Sequence, residues 1–186
     1  MQLLPHPDSL PGPVRGIQAQ AARTREGFLK LAWRLDADLF RLLIPVAPTT
    51  ARSPARADGL WRHTCFEAFV SAAQSSAYRE LNFSPAEEWA AYGFTTYRTG
   101  MFSLDLQGPP VVHWLQTSTE LTLEVVLAID ELQLGPGADP LRLSVAAVIE
   151  DASGTLSYWA LRHPAGKPDF HHPDAFALEL TDSVAA

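Results

Sequence analysis

Hydrophobic positions along this chain recur at every second residue, the period of a strand with one buried face. Leu29, Leu31, Trp33 and Leu35 share one side of such a run, against Phe28, Lys30, Ala32 and Arg34. Leu121, Leu123, Val125, Leu127 and Ile129 alternate with Thr122, Glu124, Val126 and Ala128, and Leu141, Leu143, Val145, Ala147 and Ile149 repeat the pattern. Each predicts a half-buried strand. Asp151-Ala152-Ser153-Gly154 is turn chemistry, and it predicts a hairpin into Thr155 to Leu161. Phe176 to Leu180 predicts a last strand, and only Asp36 to Leu43 resembles a helical turn.

Between Trp61 and Phe94 three further runs alternate, separated by small polar turns. Strand geometry there puts Trp61, His63, Cys65 and Glu67 on one face and Phe66, Ala68 and Val70 on the other. In the next run Tyr78, Glu80 and Asn82 align, opposite Leu81 and Phe83. A sheet face that carries acids, an amide and an imidazole beside Trp and Tyr predicts a site for a polar ligand with flat apolar faces. About nine to eleven short strands with hardly a helix predict an all-β fold, an antiparallel β-sandwich. The Pro-rich stretch Pro5 to Pro13 suits an extended arm. The expected organisation is thus an arm over 1–13, one domain over 14–181 and a tail over 182–186. Long connections at Pro45 to Leu60, Arg98 to Pro110 and Arg162 to Ala175 are candidates for functional loops.

Composition narrows the function. The net charge is −7 and the pI about 5.3, with no block of Lys or Arg. That excludes nucleic acid and anionic membrane surfaces as expected partners. Cys65 is the only cysteine, which rules out an internal disulfide and suits a reducing compartment. The opening residues lack the basic and apolar regions of a leader peptide, and no run approaches the ~20 apolar residues of a membrane span. The expected location is the cytoplasm.

The chemistry-bearing residues favour binding over catalysis. There is no G-x-S-x-G elbow, Gly-rich phosphate loop or H-E-x-x-H motif. Glu67 and Glu80 are the one pair that could serve a glycosidase, whose carboxylates lie about 5–10 Å apart. His63, Cys65 and Glu67 are zinc-type ligands, but alternate residues of one strand stand about 6.5–7 Å apart, too far for one ion. No metal site is expected. His163, Lys167, Asp169, His171 and His172 form the densest polar cluster, interrupted by Pro164, Pro168 and Pro173. Asp169 and His171 there are expected to brace the loop backbone ahead of contacting a ligand.

Three segments carry a resemblance: Trp61 to Phe69, Tyr78 to Pro85 with Trp89 to Tyr92, and Tyr158 to Leu161 through Pro168-Asp169-Phe170-His171-His172-Pro173. In order and spacing the chain from Val14 to Leu180 resembles the DOMON-like superfamily, and within it the bacterial branch similar to family 9 carbohydrate-binding modules. The resemblance implies a jelly-roll β-sandwich that binds sugars or haem on one sheet face and its flanking loops. It implies that Trp61 stacks on a sugar, that Glu67 hydrogen-bonds its hydroxyls, and that Trp159 is a candidate for the second aromatic platform. With Asn82, Glu80, Tyr92 and His171 these residues make the expected pocket. The expected function is non-catalytic binding of a saccharide or sugar-containing metabolite, with no cofactor required. A partner-docking scaffold is one alternative. Haem is another, on Met101, the only methionine besides Met1, and a histidine.

Overall fold

The period-two runs fold as strands, and their apolar sides meet in one core. The structure, a computed structural model, describes residues 1–10, 12–47, 54–135 and 138–181. In chain order the strands are β1 (Gln2–Pro5), β2 (Val14–Arg23), β3 (Phe28–Ala37), β4 (Ala55–Arg56), β5 (Cys65–Ala72), β6 (Tyr78–Ser84) and β7 (Glu88–Phe94). They continue with β8 (Phe102–Ser103), β9 (Val111–Gln116), β10 (Glu120–Ala128), β11 (Leu141–Glu150), β12 (Leu156–Ala160) and β13 (Leu178–Leu180). No α-helix occurs among the described residues. The Asp36 to Leu43 segment resolves into the end of β3 and a single 3-10 turn, Leu39–Arg41. The expected C-terminal tail, 182–186, lies outside the described residues.

The strands run in the order β4-β7-β6-β5-β11-β12-β1-β2-β3-β10-β9, with β13 also beside β11 and β8 beside β7. This path folds into two facing walls, β2-β3-β10-β9 and β7-β6-β5-β11-β12, joined at β1. The first residues of the expected arm are therefore a structural strand. Gln2 and Leu3 pair with Gln18 and Ile17 of β2, while Leu4 and Pro5 pair with Ala160 and Trp159 of β12. Pro5 stands at the end of its strand, where a missing N–H leaves no gap in the ladder. The sandwich departs from a purely antiparallel one at β4, which runs parallel to β7. That pairing is the return of the long connection after β3, and Arg56 there lies over the Trp89 ring, 5.4 Å from its centroid.

Between the walls lie Leu29, Leu31, Trp33 and Leu35 of β3, Leu121 to Leu127 of β10, and the inward side of the second wall. Trp33 sits at the centre, its ring 5.8 Å from Phe66 and 6.1 Å from Phe83. Each such side chain contributes about 1.5–3 kcal/mol by leaving water. The first wall has polar residues on its solvent side. The second has almost no solvent side along β5 and β6: every residue of β6 is buried, as is nearly all of β5. A second apolar layer of Cys65, Phe69, Tyr78, Tyr92, Phe94, Val148, Phe170 and Phe176 covers its outer face.

Leu3 is fully buried whereas Leu4 is about half exposed. If β1 joins the walls as described, Leu3→Ala lowers unfolding stability by about 2–5 kcal/mol in urea titrations, and Leu4→Ala stays within about 0.5 kcal/mol of wild type. Equal effects would contradict the strand pairing.

Candidate functional site

The outer face of the second wall carries the polar row. Glu67 of β5 is paired across the ladder with Asn82 of β6, and Glu80 of β6 with Phe69 of β5 and Tyr92 of β7. Residues on adjacent strands in that register share a face, so both acids project outward with Tyr78, Asn82 and Phe94. Val148 of β11 and Tyr158 of β12 continue the floor. Three chain segments wall it in. The 3-10 turn Leu60–Arg62 carries Trp61, the turn after β7 carries Arg98 and Met101, and the connection after β12 brings Pro168, Phe170 and His171 over the sheet. They enclose a cavity of about 560 Å³.

Glu67 is 3% exposed, and its Oε1 is buried without a hydrogen-bond partner among the described residues. Burial, and then the neighbouring Glu80, push its carboxyl well above the ordinary carboxylate range. Glu80 is also pushed up by burial, but less freely. The Asn82 amide donates to its Oε1 at 2.7 Å, and this bond together with the charge of Arg98 favours the ionised form. The two acids are thus unequal: Glu80 is anchored, and Glu67 lines the cavity with its Oε1 buried and unmet.

His171 closes the far side. Its Nδ1 is 2.8 Å from the Tyr78 hydroxyl and its Nε2 is 3.7 Å from Glu80 Oε2. Burial, then the positive charge of Arg98, push the imidazole down to about 4, so it is neutral at physiological pH. Asp169 fastens the covering loop. One carboxylate oxygen accepts from Arg98 Nη2 at 2.8 Å and from the His171 N–H at 3.1 Å, and the other accepts from the Tyr97 hydroxyl. Arg98 holds a left-handed backbone, φ 52°, with its own N–H on the Tyr78 hydroxyl at 3.2 Å.

Of the residues nominated from sequence, Trp61, Glu67, Glu80 and His171 line the cavity. Asn82 is fully buried beneath it, holding Glu80. Tyr92 supports Trp61 edge-on, with ring centroids 5.9 Å apart, and its hydroxyl donates to Asp58 at 2.6 Å. Trp159 is displaced from its expected place: it faces the core between the walls, its Nε1 donating to Ser157 Oγ at 3.0 Å. The outward position belongs to Tyr158. Nor does Trp61 belong to the strand. Gly59, at φ 77°, opens a 3-10 turn, and β5 begins only at Cys65.

His63 consequently leaves the shared face and is exposed, with Nδ1 2.7 Å from Glu150 Oε2. Among the described residues no three His, Cys, Asp or Glu side chains gather where a metal ion could be held. The histidine cluster also separates. His163 Nε2 is 2.8 Å from the Leu4 carbonyl and His172 caps the 3-10 turn Pro173–Ala175, so only His171 reaches the cavity. Sequence reasoning missed Arg62, Arg98, Tyr158 and Phe170 as wall residues. Phe170 and Tyr158 each sit beside a residue that was chosen, so the signal there was a one-residue register. Arg62 sits within the run read as a strand, and Arg98 opens a connection named as a candidate functional loop, but no spacing marks either as a wall residue.

No family model matches the chain, and no curated protein does. Solved structures do. A candidate carbohydrate-binding protein from Bacteroides uniformis aligns with a TM-score of 0.62 at 15% identity, over 96% of this chain and 85% of that one. A family 9 carbohydrate-binding module from Caldicellulosiruptor kristjanssonii, in complex with glucose, aligns at 10% identity over 93% and 82% of the two chains, with a TM-score of 0.49. The module from that organism in complex with cellotriose gives 10% identity, 89% and 74% coverage, and a TM-score of 0.48. The first alignment establishes a shared fold, a β-sandwich along nearly the whole chain.

Because folding raises the affinity of Glu67 for its proton, the folded state binds more protons than the unfolded one above the ordinary carboxylate pKa of about 4.3. The stability contributed by this group is therefore full at low pH and falls as pH rises. Glu67→Gln should melt within about a degree of wild type at pH 4, and several degrees higher at pH 8, because an unmet buried group costs about 1–3 kcal/mol and each kcal/mol moves a domain of this size by about 2–4 °C. No gain at pH 8 would show that the carboxyl is satisfied. His171 has the opposite sign: a depressed pKa gives stability that is present above its unfolded value and lost as pH falls. Its imidazole NMR signals should titrate with a midpoint near 4, and a midpoint near the ordinary 6.5 would place it in solvent.

Proposed function

We propose that this chain is a non-catalytic binding protein for a saccharide or sugar-containing metabolite, held in the cavity on the outer face of the second wall. The observation that carries the reading is a buried carboxyl with an unmet oxygen between flat aromatic walls. A pyranose presents apolar C–H faces to rings such as Trp61 and hydroxyls to acids such as Glu67 and Glu80. A cavity of about 560 Å³ is in the range of small-ligand pockets. The shared fold with a candidate carbohydrate-binding protein supports the same reading. So does the resemblance of the Trp61–Glu67 segment to the DOMON-like, family 9-like branch, in which we place the chain. Cytoplasmic residence, which the lone buried thiol of Cys65 suits, makes a soluble sugar or a cell-wall precursor a better occupant than a polysaccharide.

Haem has one observation in its favour, since Met101 and His171 line the same cavity. The saccharide reading is preferred because both ring nitrogens of His171 already face protein groups, Tyr78 and Glu80. Isothermal calorimetry against neutral sugars, nucleotide sugars and haem separates the two. A sugar should bind at millimolar concentration or better, and Trp61→Ala should weaken it about tenfold by removing the stacking face. Absence of sugar binding with appearance of a Soret band would replace the saccharide by haem.

A further inference from the structure

We propose that the sugar bound in this cavity carries an ammonium group, as amino sugars do, and that Glu67 is its counter-ion. The inference rests on the saccharide reading and deepens it. Glu67 projects from β5 into the cavity, almost wholly buried, and forms no hydrogen bond or ion pair among the described residues. An ionised carboxyl so placed has no cation beside it among the described residues, and burial of that kind is strongly unfavourable until a counter-charge arrives. The protein's own cations do not provide it. Arg98 is engaged by Asp169 at 2.8 Å, and Arg62 stands at the exposed rim of the cavity. Glu80 is already served by Asn82, so the unmet demand lies on Glu67 alone.

The walls suit the same ligand. Trp61, Tyr158 and Phe170 present aromatic rings around the acid floor, and such faces attract a desolvated cation. A neutral hydroxyl can share a hydrogen bond with protonated Glu67. An ammonium donates up to three and supplies the missing charge, so the carboxylate form becomes stable only with the amine bound. Acetylation of the amine removes the charge and the advantage together.

Calorimetry at pH 6.5 with glucose and glucosamine, galactose and galactosamine, and mannose and mannosamine, plus the three N-acetylated forms, tests this on wild type and Glu67→Gln. Melting curves confirm that the variant is folded. In at least one pair the amino sugar should bind wild type about tenfold or more tightly than both its neutral partner and its N-acetyl form. Glu67→Gln should erase that preference, so that within the variant the amino sugar binds no more tightly than its neutral partner. Neutral sugars binding as tightly as amino sugars would overturn the amine inference and leave the saccharide reading standing. A preference that survives Glu67→Gln would overturn the role of Glu67, and no binding by any sugar would overturn both.

Discussion

A sheet wall kept dry on both faces governs the rest of this molecule. β5, β6 and β11 pack Phe66, Leu81, Phe83, Val145 and Ala147 against the first wall, and with β7 they carry Phe69, Tyr78, Phe94 and Val148 on the opposite side. Exposed aromatics on that outer face would be a large apolar patch. The long connections exist to cover it. Phe170 and Phe176 lie down on the aromatic layer, and the 3-10 turn at Leu60–Arg62 closes the near edge. The cover is incomplete over the acids, and the remaining gap is the cavity. Site and second core are thus one structure, made by loops that must be long enough to cross a sheet.

The polar residues under that cover are organised by the same dryness. Each of them is either answered locally or left for something else to answer. Asn82 spends its amide on Glu80, Tyr78 holds His171, and Asp169 draws Arg98, Tyr97 and a backbone N–H together. Glu67 Oε1 and Ser144 Oγ, on the same face of the wall, are the exceptions. A protein interior tolerates few unsatisfied groups, and those that persist mark places where packing is subordinate to another purpose. The core side has a comparable solution with a different outcome: buried Arg79 is fully used, its guanidinium donating to the Leu132 and Gln133 carbonyls at 2.7 and 2.6 Å and stacking on Phe102. A β-carbon on Gly93 beside it would lie 2.1 Å from the tip of the Phe102 ring, which would have to swing away.

What could be read from the sequence follows from which faces are wet. β3 and β10 are legible because one side is apolar and the other wet, and alternation then reports inside from outside. In β5 and β6 both sides are buried, so alternation reports two different interiors. It correctly separated Glu67, Glu80 and Asn82 from Phe66, Leu81 and Phe83, without telling that the polar side is roofed. Trp61 and His63 were read as an extension of that strand because nothing local to them signals a turn except Gly59. Trp159 and Tyr158 are both aromatic, and only their register against β11, Trp159 opposite Ala147 and Tyr158 opposite Val148, decides which one looks outward. Arg98 enters the site through a contact with Asp169, 71 positions away in sequence, and no periodic pattern records such a contact.

The seam at β1 has a consequence for how the molecule comes into being. Leu3 sits opposite Ile17, but Leu4 sits opposite Ala160, so one short strand joins two partners at opposite ends of the chain. During synthesis the first partner is present at once, and the second only after β12 has been made. Until then the two walls cannot be stitched at that edge, and the emerging chain has to carry an open apolar margin. Contacts of such sequence separation are the slow ones to close. The joint that finishes the sandwich pairs Leu4 with Ala160, and of the strand pairings described it spans the longest stretch of chain.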